Sequence, residues 1–154
     1  MVDTDVLLLL IAANGTPVLA ALLLGPRCAW PLDGGRSFRD GRPLLGAHKT
    51  WRGLAAGTLA AAFVGSATGV GVGLGAAFGV LALFGDLASS FAKRRLDRAP
   101  GRDTLLLDQL PESLLPLLAL YRPLGLGAPE IVGTVLLFAV LDVAATRAWQ
   151  ALRP

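Results

Sequence analysis

The first apolar block runs from Val6 to Leu24 and gives way to the one long polar interval in the chain, Gly25 to Gly53. From Leu54 to Gly85 there is no charged residue, and extending that block to Ala92 admits only Asp86. A helix needs about 20 residues, at roughly 1.5 Å each, to cross about 30 Å of hydrocarbon. The second block is too long for one such helix and suits two, with Gly69, Gly71, Gly73 and Gly75 marking the turn between them. Two further blocks follow, Thr104 to Tyr121, where Pro111 and Pro116 should introduce kinks, and Ile131 to Trp149. The pattern predicts spans over 6–24, 54–71, 75–92, 104–121 and 131–149.

Composition settles the solvent. The 154 residues are 54% hydrophobic and 16% charged, with a mean hydropathy of +0.62, against roughly 25% charged residues in ordinary soluble domains. The expectation is an all-α integral membrane protein, a single membrane-embedded domain over 1–154. No Lys or Arg precedes the first apolar block, so it lacks the basic flank of a cleaved signal peptide and reads as a retained helix. Cys28 stands alone, which excludes an internal disulfide.

Charge then orients the spans. With five helices, thirteen of the fourteen Lys and Arg residues fall on one side, and only Arg122 on the other. Were Leu54 to Ala92 one helix, the two basic loops would face opposite compartments and the bias would vanish. The positive-inside rule puts the basic loops in the cytosol and the N-terminus outside, in a cytoplasmic (inner) membrane. Retention and contact with anionic headgroups would account for charge alone. The loop, however, is also punctuated by Asp33, Gly34, Gly35, Asp40, Gly41, Gly46 and Gly53, residues that supply tight turns and close backbone approach.

Several motifs fail. Gly41 to Thr50 reads GRPLLGAHKT, in which Ala47 and His48 separate Gly46 from Lys49 and break the phosphate-binding GxxxxGK[ST] pattern. The glycines at 65, 69 and 73 and at 71, 75 and 79 have the small-xxx-small spacing of helix-packing faces, faces that would also permit a homodimer. His48 is the sole histidine, leaving no imidazole pair for zinc or a triad, and it reads as a solvated loop residue.

Carboxylates inside spans are costly and mark function. Asp86 lies roughly 10 Å, and Asp108 roughly 6 Å, from the basic end of their helices by the helical rise. Glu112 shares the face of Asp108 one turn on, and Asp142 is expected to pair with Arg147. Two acids on adjacent helices beneath a rim of Lys and Arg suit a divalent cation serving a polyphosphate.

The segments AANGTPVLAALLLG (12–25), PLDGGRSFRDGRPLLGAHKTWRG (31–53), GDLASSFAKRRL (85–96) and LLDQLPESL (106–114) resemble the CDP-archaeol synthase family, membrane cytidylyltransferases related to the phosphatidate cytidylyltransferases. The resemblance implies five transmembrane helices with a charged cavity on the cytosolic side. It implies Asp86 and Asp108 as metal-binding and, with Lys93, catalytic residues, and Asp40, Lys49, Thr50, Arg52, Ser90, Lys93 and Arg94 around the nucleotide and its phosphates. The activity it implies is magnesium-dependent transfer of CMP from CTP to a lipid phosphate, with the bilayer and no nucleic acid as partner. The tails of that lipid, acyl or isoprenoid, are not written in the sequence. A small transporter or scaffold without nucleotide chemistry is the other reading.

Overall fold

The computed structural model describes residues 2–96 and 105–151, the side chains of 105–108 and 149–150 aside. It holds five helices: α1 (Thr4–Leu24), α2 (Trp51–Ala67), α3 (Val72–Arg95), α4 (Leu105–Leu120) and α5 (Ala128–Ala151). Asp3 caps α1, its carboxylate accepting from the N–H groups of Asp5 and Val6 at 3.0 and 3.1 Å. Thr50 caps α2 through the Gly53 N–H at 3.1 Å. Each cap satisfies donors that a helix start leaves unpaired. Lys93, Arg94 and Arg95 occupy the last turn of α3, where they face the negative end of its dipole.

The turn between α2 and α3 is tighter than expected. Gly69 and Gly71 carry φ of 83° and 99°, a region open to glycine without strain, and α3 starts at Val72. Gly73 and Gly75 therefore belong to the helix. α1, α3 and α5 as far as Ala148 are long and apolar enough to cross a membrane. α2 and α4, at 17 and 16 residues, are shorter than the expected spans because the turn claims residues 68–71 and helix α4 stops at Leu120.

α2 packs between α1 and α3, α3 against α4 and α4 against α5, while α1 also touches α3 and α5. Missing side chains make the closest approaches. A Cβ on Gly75 would lie 2.5 Å from the Ala61 carbonyl oxygen, and one on Gly65 would lie 2.9 Å from the Gly75 Cα. Gly65, Gly75 and Gly79 are thus spent on the contact between α2 and α3, while Gly69, Gly71 and Gly73 have nothing within 4 Å of their Cβ positions. Pro17 has no N–H for the Ala13 carbonyl, and Gly57 of α2 lies against that oxygen, where a Cβ would come within 2.4 Å.

Burial is uneven along the helices. In α1 the buried residues are Val6, Leu7, Leu9, Leu10 and Ala13, and they cluster with Phe78, Leu117, Val135 and Phe138. That apolar core occupies the end away from the 25–50 loop. Toward the loop the buried residues turn polar: Ser89, Ser90, Gln109, Glu112 and Ser113.

Candidate active site

The loop from Gly25 to Thr50 is folded back on itself. Leu32 N–H donates to the Lys49 carbonyl at 2.8 Å and Trp51 N–H to the Trp30 carbonyl at 3.1 Å, while Phe38 and Leu44 N–H bond the Arg42 and Arg36 carbonyls at 2.8 and 2.9 Å. Asp33, buried, organises the middle: its carboxylate accepts from the N–H groups of Gly35, Leu45 and Gly46 at 2.9, 2.9 and 3.1 Å. Burial alone pushes the Asp33 carboxyl up, and the three N–H donors outweigh it, leaving the group below its ordinary value.

Beneath the loop lies a cavity of about 630 Å³ bordered by all five helices. Lys49, Thr50, Arg52, Asp86 and Lys93 of the expected set stand on its wall; Asp40, Ser90 and Arg94 do not. On that wall the Lys49 Nζ meets the Asp86 carboxylate at 2.5 Å. Asp86 is nine residues from the end of α3, roughly 14 Å by the helical rise. Its depth follows from Gly85, where α3 and α4 nearly touch: a Cβ there would lie 2.1 Å from the Pro111 carbonyl oxygen and 2.7 Å from the Glu112 Cα. Asp86 and Glu112 thereby reach one cavity from adjacent helices.

Other expected residues have structural partners as well. Arg52 Nη1 donates to the Gly25 and Arg27 carbonyls at 2.9 and 2.5 Å, closing the end of α1. The Arg94 guanidinium lies over Gly46, whose Cβ would come 3.0 Å from its Nη2. Ser90 is buried one turn from Asp86, beside Ser89, whose hydroxyl donates to the Asp86 carbonyl at 2.8 Å. Asp40 accepts from Arg95 and, at 3.1 Å, from the Arg42 N–H. Burial pushes the Asp40 carboxyl up, but the Arg42 N–H and the Arg95 guanidinium win and hold it below its ordinary value.

Three cavity residues carry polarity that the sequence reading gave no site role. Asn14 of α1 lines the wall with its amide nitrogen donating to the Leu10 carbonyl at 3.1 Å. His48, exposed, borders the cavity mouth. Asp142 accepts from Gln109 Nε2 at 3.0 Å, which replaces the expected pair with Arg147, an exposed residue. Gln109 is only 2% exposed, so Asp142 is met by a neutral donor from the neighbouring helix. For Asn14 and Asp142 the signal was a polar residue in an apolar helix; His48, in the loop, stood among other polar residues and gave none.

The cavity offers carboxylates from α3, α4 and α5, an all-oxygen donor set of the kind that suits a hard divalent cation. Among the described residues, no three acidic, histidine or cysteine side chains gather closely enough to enclose one. Asp108 sits in α4 beside Gln109, its side chain outside the described residues.

The family model described as CarS-like CDP-archaeol synthase matches residues 4–77 and 67–148. The chain belongs to the CDP-archaeol synthase family. It is an enzyme, a CTP-dependent cytidylyltransferase acting on a lipid phosphate, as the curated family members indicate. The CDP-archaeol synthase of Hyperthermus butylicus is 44% identical over 117 residues, covering 72% of this chain and 67% of that one. That of Pyrobaculum calidifontis is 39% identical over 148 residues, covering 92% and 87%. The fold is similar to the solved structure of an intramembrane enzyme for archaeal membrane-lipid biosynthesis, with a TM-score of 0.69, 33% identity, and coverage of 90% of this chain and 91% of that one. Family membership removes the transporter or scaffold reading and makes the chain a membrane-embedded transferase.

Proposed function

We propose that this enzyme transfers CMP from CTP to the phosphate of an isoprenoid ether lipid, releasing pyrophosphate, at the cavity beneath the 25–50 loop. The observation that carries it is the Lys49–Asp86 pair at 2.5 Å, a cation and an anion held together on a cavity wall beside Arg52 and Lys93. A lipid phosphate oxygen attacks the α-phosphorus of CTP in line; the new P–O bond forms as the bond to the bridging α–β oxygen breaks, and pyrophosphate carries that electron pair away. Chemistry of this type asks the protein for positioning and charge neutralisation. Lys49, Arg52 and Lys93 neutralise the triphosphate, Thr50 offers its hydroxyl proton while capping α2, and Ser90 and Arg94, off the wall, support it from behind, Arg94 against Gly46 of the loop. Asp86 and Asp108 would hold magnesium, and Glu112 and Asp142 add carboxylates to the same cavity wall as Asp86. When bound, the ion supplies neutralisation of charge developing on the phosphate oxygens.

In this reading all five helices cross the membrane, α2 and α4 as short spans, within one domain. The basic loop and cavity face the cytosol, from which CTP arrives, and the N-terminus lies outside. The names of the archaeal relatives favour archaeol-type tails over acyl tails. The test is purified protein in liposomes, with radiolabelled CTP, magnesium and a panel of lipid phosphates. Labelled CDP-lipid from the isoprenoid ether substrate supports the reading. Failure to label any lipid phosphate overturns it, and preference for phosphatidic acid overturns the tail assignment.

A further inference from the structure

A second set of contacts joins the loop to α3 outside the cavity. Arg95 grips the loop at three places: the Asp40 carboxylate, the Pro43 carbonyl at 2.7 Å and the Arg42 carbonyl at 3.4 Å. Its guanidinium lies 4.8 Å from the Phe38 ring centroid and 5.0 Å from that of Phe91, and the two rings meet edge to face at 5.5 Å. In the reverse direction Arg42 Nη1 donates to the Arg94 and Arg95 carbonyls at 3.3 and 2.9 Å, occupying acceptors that the end of a helix leaves open.

The two arginines therefore exchange roles, each bonding the backbone of the segment that carries the other. Such a clasp fixes a loop in register as well as in proximity, because both bonding patterns must close at once. Lys49 stands a few residues beyond the clasped segment, tied back to it through the Asp33 carboxylate and the N–H groups of Leu45 and Gly46. The Lys49 N–H also bonds the Gly46 carbonyl at 3.1 Å. A continuous chain of bonds thus runs from Arg95 at the tip of α3, through the loop, to Lys49 opposite Asp86 on the same helix.

We infer that Asp40 and Arg95 are positioning residues for nucleotide binding: Asp40 acts through Arg95, clasping the loop to the end of α3 so that Lys49 stands at the phosphate site before CTP arrives. The inference deepens the function proposed above and rests on it. It gives Asp40 a role without contact to the nucleotide, consistent with its place off the cavity wall. Preorganisation of this kind lowers the ordering cost of binding, so its loss is read in affinity first.

The test uses the full chain in liposomes with Asp40→Asn, Arg95→Gln, their double variant, and Asp40→Glu. Asp40→Asn keeps an acceptor for the Arg42 N–H and removes only the charge. Each single variant should raise KM for CTP about three- to tenfold, as fits a partly exposed charged contact, with a smaller change in kcat. The double should be no worse than the worse single, because both act through one clasp, and Asp40→Glu should recover part of the affinity. Hydrogen exchange at the Phe38 and Leu44 amides should quicken in the Asn and Gln variants while the amides inside α3 keep their protection. Additive losses in the double variant, or a fall in kcat at unchanged KM in Asp40→Asn, would show direct contact with the reacting groups and overturn the inference. Loop exchange unchanged by Asp40→Asn overturns the clasp whatever the activity. Failure of wild-type protein to make CDP-lipid from any substrate instead defeats the underlying function, so the two failures are distinguishable.

Discussion

Gly85→Ala adds one methyl group at the point where α3 and α4 cross, and the structure sets what that costs. The new Cβ would stand 2.1 Å from the Pro111 carbonyl oxygen, 2.5 Å from its carbon and 2.7 Å from the Glu112 Cα, all backbone atoms that no rotamer change can move aside. Reaching even 3.0 Å requires the helices to part by at least about 0.9 Å. Alanine gains up to about 1 kcal/mol of helix propensity over glycine, and overpacking of a tight contact costs roughly 1–3 kcal/mol, so the clash wins. The functional loss should exceed the loss of stability. Asp86 and Glu112 flank the contact, and a displacement near 1 Å at a reacting centre costs on the order of 100-fold in rate. Gly73 is the control: it lies in the same helix with nothing within 4 Å of its Cβ position. Gly73→Ala should keep full activity and unfold at the same or a higher temperature. The assay is CDP-lipid formation in liposomes beside thermal unfolding in detergent. Wild-type turnover by Gly85→Ala would refute the claim that this crossing places the acids.

Other outcomes follow from single contacts. Asp86→Asn should lose product formation by orders of magnitude while still binding CTP, as equilibrium binding of labelled nucleotide beside turnover will show. Lys49→Met leaves the Asp86 carboxylate without its partner at 2.5 Å, so the single variant should melt lower than Lys49→Met with Asp86→Asn, which removes both charges; the reverse order in a thermal scan would contradict the pairing. Gln109→Leu deprives Asp142 of a donor at 3.0 Å and should destabilise the protein more than Asp142→Asn, which leaves two amides able to bond each other. Asp33, whose carboxyl is held below its ordinary 3.8, contributes stability that is fully present above that value and lost as pH falls through its depressed folded value. Asp33→Asn should therefore lower the unfolding temperature at neutral pH, lower it less in acid, and so flatten the acid limb of a plot of unfolding temperature against pH.

The helices and the place of Asp86 inside one were open to a reader of the sequence for a physical reason: both are announced by contrast, whereas its partner Lys49, 37 positions earlier, was not. Twenty apolar residues in a row have one stable use, and Asp86 stands out because no charged residue precedes it back to Arg52. The clasp was not legible. Arg42 and Arg95 look like any cationic flank of a membrane span, and their contacts join positions 52 to 55 residues apart, beyond the reach of any local pattern. Asp142 misled because Arg147 is its neighbour in sequence, whereas Gln109, 33 residues earlier, is its neighbour across helices. The glycines misled by number: four in alternation suggested one turn, yet Gly69 and Gly71 make it and Gly75 packs against Ala61.

The one-sided burial of α1 has a practical side. Beyond Ala13 the helix presents Leu19, Leu22 and Leu23 outward, at 56%, 49% and 83% exposure, while Asn14, Pro17, Val18 and Ala21 border the cavity. Along that stretch the cavity has a wall one helix thick, and whatever amphiphile surrounds the protein is its outer lining. Rates measured in different micelles therefore compare surfactants as much as they compare variants, and a vesicle of fixed composition is the reference state against which every substitution in this enzyme should be ranked.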